Sequence, residues 1–116
     1  MSTLSFQVAL DGPHFNPSQI PNELVGAIAA SAERGQLNKR GNRSDVGWVR
    51  IDVESVEEAV SATRKVRALQ PGGIERADCV VSYVFDAQCN LEFSDAEVSA
   101  LAAEGMALQI SCRPKV

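Results

Sequence analysis

The stretch from Asp78 to Cys112 constrains the fold most, because it reads as one complete unit of strand, capped helix and strand: CVVSYVFDAQ, FSDAEVSALAAEG, MALQISC. Ser94 stands at a helix N-cap, and Glu97 three residues later can reach back to the cap N–H, a capping box. Asp95 adds negative charge to the first turn, where the helix dipole favours it. Phe93 and Val98 flank the cap at the spacing of a hydrophobic staple. Val98, Leu101 and Ala102 then form the expected apolar stripe, and Gly105 is the expected stop. Beyond it Met106, Leu108, Ile110 and Cys112 alternate with Ala107, Gln109 and Ser111, the period of a strand with one buried face.

An echo of this unit opens the chain. Leu4, Phe6, Val8 and Leu10 alternate with Ser5, Gln7 and Ala9, and Asp11-Gly12-Pro13 ends the strand as a turn. Phe15-Asn16-Pro17-Ser18-Gln19-Ile20 then repeats the logic of Phe93 to Val98 position by position, with Pro17 at the first helical position, where no amide hydrogen is needed. The repetition points to an internal duplication. Pro21 predicts a kink or restart, after which Leu24, Val25, Ile28, Ala29 and Ala32 supply the buried face of a helix running to about Glu33.

Gly35 to Gly47, GQLNKRGNRSDVG, has no periodicity and reads as a long exposed loop or a ragged hairpin. From Trp48 to Val53 a strand buries Val49, Ile51 and Val53 and turns Trp48, Arg50 and Asp52 the other way, making the only tryptophan a candidate contact residue. From Ser55 a helix follows, with Val56, Ala59, Val60, Thr63, Val66 and Leu69 on its apolar face, and Pro71-Gly72-Gly73 breaks it before the long strand Cys79 to Asp86. The expected architecture is an α/β (α+β) two-layer sandwich in the order β-α-β-α-β-α-β: a four-stranded sheet with three helices mainly on one face. If the end units are equivalent, duplicated β-α-β units make it a relative of the ferredoxin-like plan.

Length and composition bound the rest. A chain of 116 residues with 45% apolar content is a single globular domain over residues 1–116, able to bury roughly 65% of its unfolded surface. No apolar run approaches the ~20 residues of a membrane span, and the start of the chain carries neither a basic nor an apolar leader pattern, so the expectation is a soluble protein of the cytoplasm. The net charge of −4 argues against nucleic acid as the main partner. Cys79, Cys89 and Cys112 are odd in number and lack CxxC spacing, so they read as small buried hydrophobes, with a reactive thiol as the alternative.

With this layout the chain resembles the bacterial family called domain of unknown function 4279. The resemblance rests on the opening LSFQV, the FNPSQI start with Leu24 after it, the glycine-containing loop before Trp48, the Leu69-Gln70-Pro71 helix end, and FSDAEVSAL followed by MALQIS. It implies a small α/β domain and supplies no activity. Between Leu24 and Trp48 the chain departs from the family pattern, reading ERGQLNKRG where another proline and a Lys-Gly pair are expected.

Chemistry is sparse. His14 is the only histidine and sits in a turn beside Pro13, away from any nucleophile–base pattern, and no His pair, Asp-rich calcium loop or phosphate-binding glycine motif occurs. Neither a cofactor nor a metal site is implied, and the chain is not read as an enzyme. What stands out is a local excess of positive charge on an acidic protein: Arg34, Lys39, Arg40 and Arg43 against Asp45, with Trp48 and Arg50 following. These six residues are the candidate binding surface. The leading expectation is a non-catalytic module that binds another protein, of immunity or antagonist type, neutralising a toxin or a phage or defence component. The alternatives are a small-molecule or nucleotide-binding domain using loop 35–47, and a homo-oligomeric structural module, such as a homodimer, paired through a sheet edge or the Trp48 face.

Overall fold

The computed structural model describes residues 3–115. The chain runs β1 (Thr3–Gly12), α1 (Asn22–Val25), β2 (Ile28–Ala32), β3 (Gly47–Val53), α2 (Val56–Leu69), β4 (Arg76–Phe85), α3 (Asp95–Ala103) and β5 (Ala107–Pro114). The strands form one mixed sheet in the order β2-β3-β1-β4-β5, antiparallel except where β5 lies parallel to β4. The expected α+β class is correct. The four-stranded sheet is not: a fifth strand, β2, adds to the edge beside β3.

The extra strand comes from the segment read as a long helix. Helix formation stops after the single turn of α1, which is bracketed by Pro21 and Gly26, and Ala27 onward extends along β3 with a bulge between Ile28 and Ala30. Before it, Asn16 forms its cap-like bond, its Oδ1 accepting from the Ser18 N–H at 2.9 Å, but the result is a turn. Gln70 explains why. At the C-cap of α2 its buried amide accepts from the Asn16 N–H at 2.8 Å and donates to the carbonyls of Asn16 at 2.7 Å and Gln19 at 2.8 Å. Backbone groups that a first helical turn would use are thus held by α2. The duplication fails with the helix: the first half pairs β1 with β3 in antiparallel fashion, and only β4-α3-β5 is a parallel unit.

The core lies between one face of the sheet and α2. Cross-strand register puts Ile51, Val8 and Cys79 in one row and Val49, Leu10 and Ala77 in the next, against Val56, Ala59, Ala62, Thr63 and Val66 of the helix. Ser55 caps α2 by accepting from the Glu58 N–H, and the Thr63 hydroxyl is satisfied by the Ala59 carbonyl. Leu69, expected on the buried face, is half exposed. Two glycines allow close crossings below the sheet. A Cβ on Gly12 would overlap the Gly73 carbonyl oxygen, and one on Gly47 the Phe15 carbonyl oxygen.

The capping box of α3 is present in full, with Ser94 and Glu97 bonded both ways. Its C-terminus is a Schellman motif: Gly105 takes a φ of 69°, Met106 N–H donates to Leu101 O, and Gly105 N–H to Ala102 O. The inward stripe is rotated from the expected one. Leu101 is buried, with Glu97, Ala100 and Glu104 beside it, while Val98 and Ala102 face solvent. Glu104 fixes that rotation, because its carboxylate lies 3.1 Å from Arg64 Nε and 3.2 Å from Arg67 Nε of α2.

The cysteines divide. Cys79 is a free, fully buried small hydrophobe as expected, whereas Cys89 and Cys112, both exposed, form a disulfide across a sequence separation of 23. Spacing did not reveal the pair because the meeting depends on how the β4–α3 connection folds back over β5. Among the described residues no helix is long and apolar enough to cross a membrane.

Candidate functional site

With helices gathered on one side, the opposite face of the sheet carries no second layer of secondary structure among the described residues, and the side chains that alternate away from the core decide its chemistry. On β3 these are Trp48, Arg50 and Asp52. Their cross-strand neighbours are small or polar: Ala32 and Asp11 beside Trp48, Ala30 and Ala9 beside Arg50, Gln7 beside Asp52. Trp48 and Arg50 therefore rise from a low alanine floor. Gln7 Nε2 donates to Asp52 Oδ1 at 2.8 Å, whereas the exposed Arg50 side chain has no hydrogen-bond or ion-pair partner among the described residues. The Asp11 carboxyl is pushed above its ordinary value, chiefly by burial, with Arg76 acting to lower it and Asp78 and Glu75 adding to the rise.

The segment before Trp48 is the ragged hairpin. Gly35 N–H donates to Ser44 O at 2.8 Å, Ser44 N–H to Gln36 O at 3.1 Å and Asn38 N–H to Asn42 O at 2.8 Å, with a single bridge pairing Leu37 and Arg43. The tip is organised by Asn38, whose Oδ1 accepts from the N–H groups of Arg40 and Asn42. Gly41 follows at a φ of 81°, a left-handed position that suits glycine.

The candidate residues separate into two groups. Arg43 Nη1 donates to Gly35 O at 2.7 Å and Arg34 Nη1 to Pro13 O at 3.4 Å, so both guanidinium groups brace the hairpin and its base. Lys39 and Arg40 stand exposed at the tip, their side chains without polar partners among the described residues. Between the hairpin, the end of β2 and Trp48 lies a cleft of about 440 Å³ lined by Ser31, Ala32, Gln36, Leu37, Asn38, Lys39, Ser44 and Trp48. Two of its lining residues, Lys39 and Trp48, were candidates from sequence. Arg40 is at the tip and Arg50 is next but one to Trp48 on the same strand face. The cleft's amides, Gln36 and Asn38, were missed, although the Asn38-to-Gly41 spacing carries a turn signal. Ser31 and Ala32 were hidden by their assignment to a helix.

This arrangement can bind and orient. An aromatic plane, two carboxamides and the unpaired Lys39, with Arg40 at the tip and Arg50 farther along β3, suit an anionic or hydrogen-bonding group pressed against an indole. Among the described residues no three His, Cys, Asp or Glu side chains converge on a point. His14 is exposed in its turn, remote in sequence from the hairpin. The resemblance to the domain of unknown function 4279 family rests on the quoted residues alone: in comparison with known proteins the chain matches no family model, no curated protein and no solved structure.

Proposed function

We propose that the chain is a non-catalytic binding module, of immunity or antagonist type, that receives an acidic protein partner on the hairpin tip and the Trp48 cleft. The observation carrying this reading is the division among the basic residues: two donate to backbone carbonyls, while Lys39 and Arg40 at the hairpin tip and Arg50 on the Trp48 strand are without partners among the described residues. Unpaired cations beside a half-buried aromatic are the composition that interface hot spots favour. The test is affinity capture from the host with wild-type protein and with Lys39→Glu/Arg40→Glu, which leaves the bracing arginines intact. A stoichiometric partner lost in the variant supports the reading; no stoichiometric partner, or equal capture by both proteins, refutes it. Membership of the domain of unknown function 4279 family is held on the same footing, as a proposal.

A second reading, a small-molecule or nucleotide-binding domain, is favoured by the cleft's volume and its Gln36 and Asn38 amides. Trp48 is its own probe, being the only tryptophan. Titration with nucleoside phosphates should shift its fluorescence, with an affinity that weakens as salt rises and in Lys39→Ala. An unchanged spectrum up to millimolar ligand removes this reading.

A further inference from the structure

The Cys89–Cys112 bond joins an irregular connection to an edge strand. Cys89 belongs to residues 86–94, the connection between β4 and α3, which contains no strand or helix. Cys112 belongs to β5, a sheet edge whose residues from Gln109 to Pro114 are all exposed. The connection carries Leu91 and Phe93, both partly buried against the core, and ends at the Ser94 cap of α3. The bond therefore fastens an irregular, partly apolar segment across an open edge, and both half-cystines meet solvent.

The third cysteine cannot interfere. Cys79 is fully buried between Val8 and Leu108 in the sheet, and its thiol is pushed up to about 11, mainly by desolvation and further by Glu97. A buried, protonated thiol neither attacks a disulfide nor resolves a mixed one. Exchange at Cys89–Cys112 thus requires an external thiol. The two edges of the sheet also differ. The β2 edge carries a bulge, a feature that blunts pairing, whereas β5 continues for eight residues in unbroken register, with the half-exposed Ile110 on it.

We propose that Cys89–Cys112 is a reversible thiol–disulfide exchange site, a latch that an external dithiol opens to free the 86–94 connection from the β5 edge. One thiolate of the dithiol attacks an exposed sulfur. The S–S bond breaks, a mixed disulfide forms, and the other cysteine leaves as a thiolate that takes up a proton. The second thiol of the reductant then displaces the first cysteine, so the protein gains two electrons and two protons and the dithiol becomes a disulfide. Opening loosens Leu91 and Phe93 from the core and frees the connection from the exposed β5 edge, while the rest of the sheet and α2 keep their packing.

The experiment uses the full chain, held oxidised or treated with dithiothreitol, then alkylated under native conditions and followed by mass spectrometry and amide hydrogen exchange. The oxidised protein should take no label. The reduced protein should take two, on Cys89 and Cys112, with Cys79 unlabelled, and exchange in residues 86–94 should rise on the order of tenfold or more with β1 and β3 unchanged. Cys89→Ser/Cys112→Ser should show the fast exchange without reductant and no response to it. The proposal fails if the oxidised protein is already labelled at Cys89 or Cys112, if reduction requires denaturant, if exchange in 86–94 does not change, or if reduction unfolds the whole domain. The last result would mark the bond as a structural staple.

Discussion

Replacing Gln70 by leucine tests whether the clamp between α2 and the Phe15–Ile20 turn holds the N-terminal half in its observed form. Leucine is close to glutamine in volume but makes none of the three hydrogen bonds, and it leaves the Asn16 N–H and the Asn16 and Gln19 carbonyls facing an apolar side chain. At about 1 kcal/mol net per bond, the loss is about 3 kcal/mol. It would be larger if water could not reach the orphaned groups, and smaller by whatever burial of the leucine returns. Urea unfolding followed by Trp48 fluorescence should show a fall of that size at unchanged m-value. Gln70→Glu supplies a signed control. It keeps an acceptor for the Asn16 N–H but points a carboxylate at two carbonyls, so its folded pKa must lie above the unfolded value near 4.3. Its deficit should be full at neutral pH and shrink as pH falls through the folded pKa, where protonation restores one donor. A Gln70→Leu protein within 1 kcal/mol of wild type, or a pH-independent deficit in Gln70→Glu, would refute the clamp.

Gly47→Ala should cost about 1–3 kcal/mol or yield no soluble protein, since its methyl would overlap the Phe15 carbonyl; thermal denaturation measures it. Ser94→Ala should cost about 1 kcal/mol through loss of the capping box, with far-UV dichroism barely changed before the transition. Asp11→Asn should raise stability at neutral pH. The folded carboxyl is raised, so ionised Asp11 penalises the folded state above its folded pKa and the penalty is relieved as pH falls towards the ordinary aspartate range. Wild type and variant should therefore converge on acidification in unfolding experiments, and a gap that widened instead would contradict the direction of the shift.

Much of this molecule was legible because local and tertiary preferences agree. The alternation of Val49, Ile51 and Val53, the Ser94–Glu97 pair and Gly105 each admit one local structure, and each occurs. Ala27 to Ala32 is different: alanine and serine with one isoleucine serve either a helix or an edge strand, and the decision lies with β3 and with Pro21 and Gly26. Gln70 looks like an ordinary helix end until its partners 54 residues away are known. The same limit applies to the site. Trp48 and Lys39 declare themselves through strand parity and loop composition, but the bracing role of Arg34 and Arg43 depends on carbonyls that no spacing rule places. The disulfide is the extreme case, because nothing in three unevenly spaced cysteines says which loop lies over which strand.

The sheet order has a consequence for how the chain comes into being. β1 precedes the other four strands of the sheet in the chain, yet it lies at the centre, with β3 on one side and β4 on the other. Phe6 and Leu10 meet Val53 and Val49 only after the middle of the chain exists, and Val8 meets Cys79 later still. A growing chain must therefore carry the apolar β1 unpaired until β3 follows, and with one side still open until β4 does. Its folding is dominated by distant closures, and the burden of keeping Leu4 to Leu10 from pairing elsewhere falls on the ribosome's surroundings until β4 emerges.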